Sequence, residues 1–186
     1  NNVGIFGYVS EGTIRGLVLD NINVTGSNYV GALSGKHEYG RVNYIVIKSA
    51  TVKGNDRVSG IAGEGGYSHL HQIIVKNINL EANTWAGYIS VSPGNEGNTV
   101  VEHATVTAPN VYDYNVNKSN AVVVNNNQIT NGFAESSIGD INYYDSINID
   151  TWINGDNNPD YGSQEPDEDG YYFDYEKSTT KNIVIS

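Results

Sequence analysis

The stretch Leu17-Val18-Leu19 decides the fold, because the same short apolar pattern returns along the chain. The first three copies, which begin at Leu17, Ile45 and Ile73, are evenly spaced, and the intervals between the later copies lengthen progressively. A repeat period of about 20 to 50 residues is typical of a solenoid, in which each coil buries its apolar side against its neighbours. The later copies are Ile45-Val46-Ile47, Ile73-Ile74-Val75, Ala104-Thr105-Val106, Ile141-Asn142-Tyr143 and Ile183-Val184-Ile185.

The residues around each copy favour β-strands over helices. β-branched residues, glycine and asparagine dominate, and apolar residues recur in steps of two and three, which is typical of short strands joined by bends. No stretch of Ala, Leu, Glu and Lys is long enough for three helical turns. We therefore predict an all-β fold, a parallel β-helix of about five to six coils.

The repeat pattern favours one β-helix domain over residues 1–186, since no break separates two independent cores. We expect the chain to be a fragment of a larger protein, because it lacks an initial Met and neither end resembles a polar solenoid cap. The predicted parts are regular coils at 3–116, an irregular coil at 117–153, an acidic loop insertion at 154–178 and a terminal strand at 181–186, interrupted in mid-coil.

Equivalent residues of successive coils should stack about 4.8 Å apart. Extra residues around Ser92-Pro93-Gly94-Asn95 predict a loop extension in the fourth coil. The row of Val18, Val46 and Ile74 is expected to face outward and to be covered by a loop, a domain or a partner. The predicted inward rows are Leu17, Ile45, Ile73 and Ala104; Leu19, Ile47, Val75 and Val106; and Val24, Val52, Leu80 and Val111.

Composition restricts the classes of partner. The net charge is -11, and Lys and Arg together number only 10, which argues against nucleic acid because phosphate binding needs clustered basic side chains. No run of about 18 apolar residues is present, so membrane insertion is not expected. The absence of Cys excludes disulfides and thiolate metal sites. The polar, weakly charged mixture favours an extracellular location.

Two glycine-bounded segments carry a resemblance to a known family. Gly31-Ala32-Leu33-Ser34-Gly35 and Ser59-Gly60-Ile61-Ala62-Gly63, each followed by an Ile/Val-rich strand, resemble the GLUG-type repeats of bacterial secreted and surface proteins. The segment Ser137-Ile138-Gly139-Asp140-Ile141-Asn142-Tyr143-Tyr144-Asp145 is similar to a strand that closes such arrays. Ser59 and Tyr88-Ile89-Ser90 depart from the repeat pattern, which has glycine there.

The resemblance implies a right-handed parallel β-helix that serves as a stalk, spacer or adhesive surface of a secreted or cell-surface protein. Such repeats occur in adhesins and in the non-catalytic region of zinc metallopeptidases that cut immunoglobulin A. The expected partners are a host or cell-surface protein or glycan and other domains of the same chain. The expected function is therefore a non-catalytic structural and interaction module, and no catalytic residue or required cofactor is predicted.

The alternative is an accessory β-helix of a secreted peptidase or a carbohydrate-active β-helix. The zinc-peptidase motif is missing, because no second histidine follows His37-Glu38 at the required spacing. His69 and His71 with Glu102 have the donors of a metal site, although a solvated polar ladder is the favoured interpretation. Polysaccharide cleavage would need acidic and basic side chains on an outward face, and two predicted rows contain them. Simple surface ion pairs are the alternative interpretation of these rows. One row is Asp20, Lys48 and Lys76, and the other is Arg15 and Glu102.

The acidic insertion carries a hypothesis of calcium binding. Oxygen-bearing side chains stand at positions 1, 3, 5 and 12 of a calcium-loop pattern, although glycine is one position late and Pro159 stiffens the turn. A solvated acidic loop without a metal is the competing interpretation. The predicted ligands are Asp156, Asn158, Asp160 and Asp167.

Aromatic residues near the predicted corners are candidates for contact with a sugar or a protein partner. Exposed rings on a rigid surface can stack on sugars or anchor a partner, whereas local packing of the corners is the alternative. Two rows are in register, Tyr39 with Tyr67 and Tyr29 with Arg57 and Trp85. The candidate contact residues are Tyr29, Tyr39, Tyr67, Trp85 and Tyr88.

Overall fold

The computed structural model describes residues 1–112, 116–118, 121–125, 128–131 and 179–186. Within these residues the regular secondary structure is β throughout. The strands are β1 (Phe6–Ser10), β2 (Thr13–Asp20), β3 (Ile22–Thr25), β4 (Asn28–Gly31), β5 (Ser34–Glu38), β6 (Arg41–Ile47), β7 (Ala50–Gly54), β8 (Asp56–Ser59), β9 (Ala62–Ala82), β10 (Trp85–Gly87), β11 (Pro93–Thr107), β12 (Asn110–Tyr112), β13 (Val116–Lys118), β14 (Ala121–Asn125), β15 (Gln128–Asn131), β16 (Thr179–Lys181) and β17 (Val184–Ile185).

Apart from β15, the strands of the described residues stack in parallel as a β-solenoid of about four turns, which confirms the predicted all-β parallel architecture. Leu17 of β2 pairs with Ile45 of β6, which pairs with Ile73 of β9. The constant interval between the first three copies of the sequence pattern is therefore the length of one coil. A separate four-stranded parallel sheet contains β4, β8, β10 and β12.

Aliphatic side chains fill the interior of the coils. Ile45, Ile47 and Ile73 are fully buried in one continuous cluster, and Leu17 packs against it at the end of its row. Successive strand residues point to opposite faces, so Val46 lies outside this cluster although its neighbours lie within it. Val18, Val46 and Ile74 are nevertheless at most 5% exposed, as expected for an outward apolar row that is covered.

The fourth coil is shorter than predicted, and the three predicted inward rows are wrong at their last members. Ile73 pairs with Thr99, which precedes the predicted partner Ala104, and the register shifts between Pro93 and Asn95. These residues belong to β11, so the predicted loop extension is absent. The correct last members are Thr99 in place of Ala104, Val101 in place of Val106, and Val106 in place of Val111.

Both ends of the described stack depart from the regular pattern. β14 pairs in parallel with β11, and β15 then returns antiparallel to β14. At the opposite end, β16 pairs with β2, and β17 pairs with β3. The predicted terminal strand therefore stacks on the first coil instead of continuing the last one. The acidic insertion at 154–178 and most of the irregular coil at 117–153 lie outside the described residues.

Candidate functional site

A polar groove crosses four coils, at the β2–β3 junction, at the β6–β7 junction and along the equivalent residues of the continuous strands β9 and β11. Asn21 forms the bend at the β2–β3 junction with φ of 54°, a left-handed conformation that Asn tolerates better than most residues. The groove has a volume of about 480 Å³. It is lined by Asn21, Ile22, Asn23, Ser49, Ala50, Thr51, Asn77, Ile78, Asn79, His103, Ala104 and Thr105.

Strand register places these residues in three rows along the solenoid axis. The middle row contains Ile22, Ala50, Ile78 and Ala104, whose side chains are buried in the core and fix the strands beneath the groove. The two flanking rows project outward because strand residues alternate between faces. The first flanking row is Asn21, Ser49, Asn77 and His103, and the second is Asn23, Thr51, Asn79 and Thr105.

Hydrogen bonds hold the first flanking row in place. The backbone NH of Asn21 donates to Ser49 Oγ over 2.8 Å, and Ser49 Oγ donates to Asp20 Oδ1 over 3.2 Å. Asn77 Nδ2 donates to the carbonyl of Lys48 over 3.1 Å. Asn21 Nδ2 donates to Asn182 Oδ1 over 2.8 Å, which extends the row onto the C-terminal strand segment. This wall of the groove is therefore preorganised.

The second flanking row has free hydrogen-bonding capacity. The side chains of Asn23, Thr51, Asn79 and Thr105 make no hydrogen bond to the described part of the chain, and all four are partly or fully exposed. Together they present two amides and two hydroxyls in line. Because amides and hydroxyls both donate and accept hydrogen bonds, this row can bind a polar ligand without a change in protonation.

The charged side chains on the rim of the groove, Lys48 and Lys76 included, already interact with other groups. Lys53 follows Thr51 on the outer side and forms an ion pair with Glu81 of the next coil, with Nζ and Oε2 separated by 2.6 Å. Asp20 precedes Asn21 on the other side and is held by Ser49. The lining itself consists of amide, hydroxyl, imidazole and aliphatic side chains. The groove therefore suits a neutral ligand better than a charged one.

A second surface, formed by the outer face of β5 and the adjoining corner, is closed by ion pairs. Lys36 Nζ lies 2.9 Å from Glu38 Oε1 and 3.0 Å from Glu64 Oε1, and these bonds raise the pKa of Lys36 above its ordinary value. The hydrogen bond from Lys36, with a second from Tyr8, lowers the pKa of Glu38. Arg57 contacts Glu64 as well. The charged groups thus satisfy one another.

The predicted aromatic contact residues lie in three different environments. Tyr39 and Tyr67 stack with ring centroids 5.3 Å apart and planes 2° apart, and 59% and 75% of the two residues remain exposed. Tyr29 lies beneath Arg57, with the guanidinium 5.0 Å from the ring centroid. Trp85 is 43% exposed and continues the row of Tyr29 and Arg57, as predicted.

Tyr88 is not a surface contact residue. It is 1% exposed and belongs to the hydrophobic core, so the prediction that it contacts a partner is wrong. Ile89 is also buried, and Ser90 bridges to Ala62 of the previous coil. The segment Tyr88-Ile89-Ser90 therefore turns into the solenoid, where the large ring of Tyr88 is enclosed.

The predicted histidine and carboxylate set is not brought together as proposed. His71 pairs across the coils with Gly97, whereas Glu102 follows Val101, the partner of Val75. The rings of His69 and His71 lie 5.9 Å apart. Burial, followed by the charges of His69 and Arg41, lowers the pKa of His71. Among the described residues no cluster of three metal-binding side chains occurs. The predicted calcium ligands Asp156, Asn158, Asp160 and Asp167 lie outside these residues.

His37 and Ser68 form a buried pair that sequence reasoning did not identify. His37 Nδ1 lies 2.9 Å from Ser68 Oγ, which also donates to the His37 carbonyl oxygen over 2.9 Å. Burial lowers the pKa of His37 below 6.5. Both residues have no solvent exposure, so a substrate cannot reach the hydroxyl. The pair is therefore structural.

The groove was also missed by sequence reasoning, although the sequence contains a signal for it. Asn21 and Asn23 flank Ile22, and the same polar, apolar, polar triplet returns at 49–51, 77–79 and 103–105. Attention to the outward members of the repeat would have revealed two polar rows. The register that brings these rows together depends on how the coils stack.

Comparisons of the chain with protein-family models, curated proteins and solved structures gave no significant match. The part of the chain that the structure describes contains no helix able to span a membrane.

Proposed function

We propose that this chain is a non-catalytic interaction module of an extracellular bacterial protein and that it binds a partner in the polar groove. The row of Asn23, Thr51, Asn79 and Thr105 supports this proposal most directly, because its side chains are exposed and without partners among the described residues. A row of unpaired polar groups on a rigid frame offers preorganised hydrogen bonds to a ligand.

The chemistry of the lining favours binding over catalysis. Hydrolysis of glycosidic bonds by most enzymes uses two carboxyl groups that flank the scissile bond. The groove instead presents amides and hydroxyls, with His103 at one end. The extracellular location is supported by the polar composition and by the resemblance to GLUG-type repeats of secreted and surface proteins. In this setting the solenoid would also act as a spacer.

An array of polysaccharides, glycoproteins and extracellular proteins tests the proposed function. The wild-type chain and the variants Thr51→Trp and Thr13→Trp are labelled and applied to the array. The Trp at position 51 fills the groove, whereas Thr13 is exposed at the far end of β2 and serves as the matched control. We expect at least one ligand to be lost with Thr51→Trp and retained with Thr13→Trp.

The proposal is wrong if every bound ligand is retained by Thr51→Trp, because binding would then not use the groove. Release of reducing ends or peptide fragments from a ligand, when sensitive to Thr51→Trp, would instead identify an enzyme.

A further inference from the structure

We infer that the ligand of the groove is a single extended, neutral polysaccharide chain that lies along the solenoid axis. This inference rests on the proposed function and adds the chemical class and the direction of the ligand. Three features of the groove support this inference: the chemistry of its hydrogen-bonding side chains, the spacing of these side chains, and the backbone pairing of the strands beneath them.

The hydrogen-bonding groups match the hydroxyls of neutral sugars. Each sugar hydroxyl both donates and accepts a hydrogen bond, and the side chains of Asn23, Thr51 and Asn79 can do the same. Acidic sugars would need available basic partners, but Lys53 is paired with Glu81, and Lys48 and Lys76 on the opposite rim already interact with other groups. The net charge of -11 opposes polyanions in general. A neutral polysaccharide needs no basic partner and is not repelled by the negative charge of the protein.

The spacing of the groups matches a repeating ligand. Equivalent residues of neighbouring coils are separated by one strand spacing, about 4.8 Å, so four coils give a row about 14 Å long. A polysaccharide in an extended conformation also presents its hydroxyls at regular intervals along one direction. A chain that lies along the row can therefore place successive sugars over successive coils.

The strands beneath the groove argue against an extended peptide. Peptides that bind to sheets usually add a strand at an open edge and use its free backbone groups. β7 is already paired on both sides, with β3 and with β9. Its backbone therefore offers no open edge to a peptide, and only side chains are presented to the ligand.

Affinity electrophoresis and isothermal titration with the full chain test the inference. The neutral probes are linear glucans, mannans and xylans. Polyuronates serve as acidic counterparts, and an extended glycine-rich peptide serves as the peptide probe. We expect retention by at least one neutral polysaccharide. Removing one ligand hydrogen bond with Thr51→Val should weaken this binding roughly three- to tenfold. Thr51→Trp should abolish it, and Thr13→Trp should leave it unchanged.

Oligosaccharides of increasing length provide the test of direction. Affinity should rise with each added sugar and stop rising once the oligosaccharide spans the four coils, about 14 Å. An affinity that is independent of length beyond one sugar would contradict an axial chain.

The outcomes separate this inference from the proposed function. Binding of a polyuronate or of the peptide that is lost with Thr51→Trp overturns the inference and leaves the groove as a binding site. Neutral binding that is unchanged in Thr51→Trp also overturns the inference. Both proposals would be wrong if no ligand on the array and no probe in this panel lost binding in the Thr51→Trp variant.

Discussion

At Gly63 the packing of neighbouring coils leaves no space for a side chain. A Cβ there would lie 2.4 Å from the backbone nitrogen of Val30 and 2.7 Å from the carbonyl oxygen of Gly35. Backbone atoms of two adjoining segments cannot both move away without disturbing the coil. The glycines of the repeat are thus explained by close approach between segments.

The substitution Gly63→Ala tests this explanation. We expect it to lower the free energy of unfolding by about 1–3 kcal/mol, because overpacking forces shifts in the surrounding backbone. Urea titration provides the measurement. Gly66→Ala is the matched control, since its Cβ would approach Glu38 Oε1 at 3.6 Å, an ordinary contact. Equal stability of the two variants would contradict the close packing at Gly63.

His37 gives the stability of the protein a specific pH dependence. Burial holds its pKa below 6.5, the ordinary value at which the ring titrates in the unfolded chain. As pH falls below about 6.5, the unfolded state binds the proton first, so the free energy of unfolding decreases. The limiting slope is about 1.4 kcal/mol per pH unit while the native ring stays neutral. Above this range His37 adds no pH dependence.

Urea titrations at pH 7.5 and pH 5.5 test this expectation. Wild type should lose more stability between the two pH values than His37→Gln, because glutamine does not titrate. An identical loss in wild type and His37→Gln would show that His37 is not the responsible group.

At the scale of elements, the first three coils were predictable and the fourth was not. Leu17, Ile45 and Ile73 repeat with a constant step and similar side chains, so their alignment follows from the sequence. In the fourth coil the inward position is occupied by a buried polar residue, Thr99. An apolar repeat pattern therefore predicts Ala104, and not Thr99, at this inward position. The register shift near Pro93, which shortens this coil, added to the error.

The C-terminal strands could not be assigned from local sequence either. Their partner is the first coil, near the opposite end of the sequence, and periodicity does not reveal such pairing. The amide of Asn182 donates to the carbonyl of Asp20 over 3.0 Å, and that of Asn23 donates to the carbonyl of Ile183 over 2.7 Å. Ile183 and Ile185 also pack against the core. The segment covers part of an edge of the sheet.

Deletion of residues 179–186 tests the role of this segment. We expect the free energy of unfolding to fall by roughly 2–4 kcal/mol, through lost burial and hydrogen bonds. The uncovered edge should also cause concentration-dependent association, detectable by analytical ultracentrifugation. Val184→Ala is the control, because Val184 is 75% exposed. A deletion variant with the stability and the association state of the wild type would contradict the proposed covering role.

Calcium binding by the acidic insertion stays a prediction. If Asp156, Asn158, Asp160 and Asp167 form a site, calcium added to a chelator-treated sample should raise the melting temperature, because binding to the native state stabilises it. Asp156→Asn should reduce the shift, and magnesium should not replace calcium. An unchanged melting temperature in wild type would remove the hypothesis.

At the scale of the whole molecule, the groove is a consequence of register. Asn23, Thr51 and Asn79 are far apart in sequence and become neighbours only because each coil repeats the path of the previous one. The polar residues of each repeated triplet can be identified from the sequence. Their convergence depends on the register in which the coils stack, which residue types alone do not define. The inward rows stabilise the stack, and the outward rows provide its surface.

Dipolar electron paramagnetic resonance on the double variant Asn23→Cys with Asn79→Cys tests this register most directly. The natural chain has no cysteine, so both spin labels attach only at the introduced positions. The two residues lie two coils apart, which places their backbones about 10 Å from each other. We predict strong dipolar broadening in frozen solution relative to the sum of the two single-label spectra. A double-label spectrum equal to that sum would contradict the stacked rows and the groove that they form.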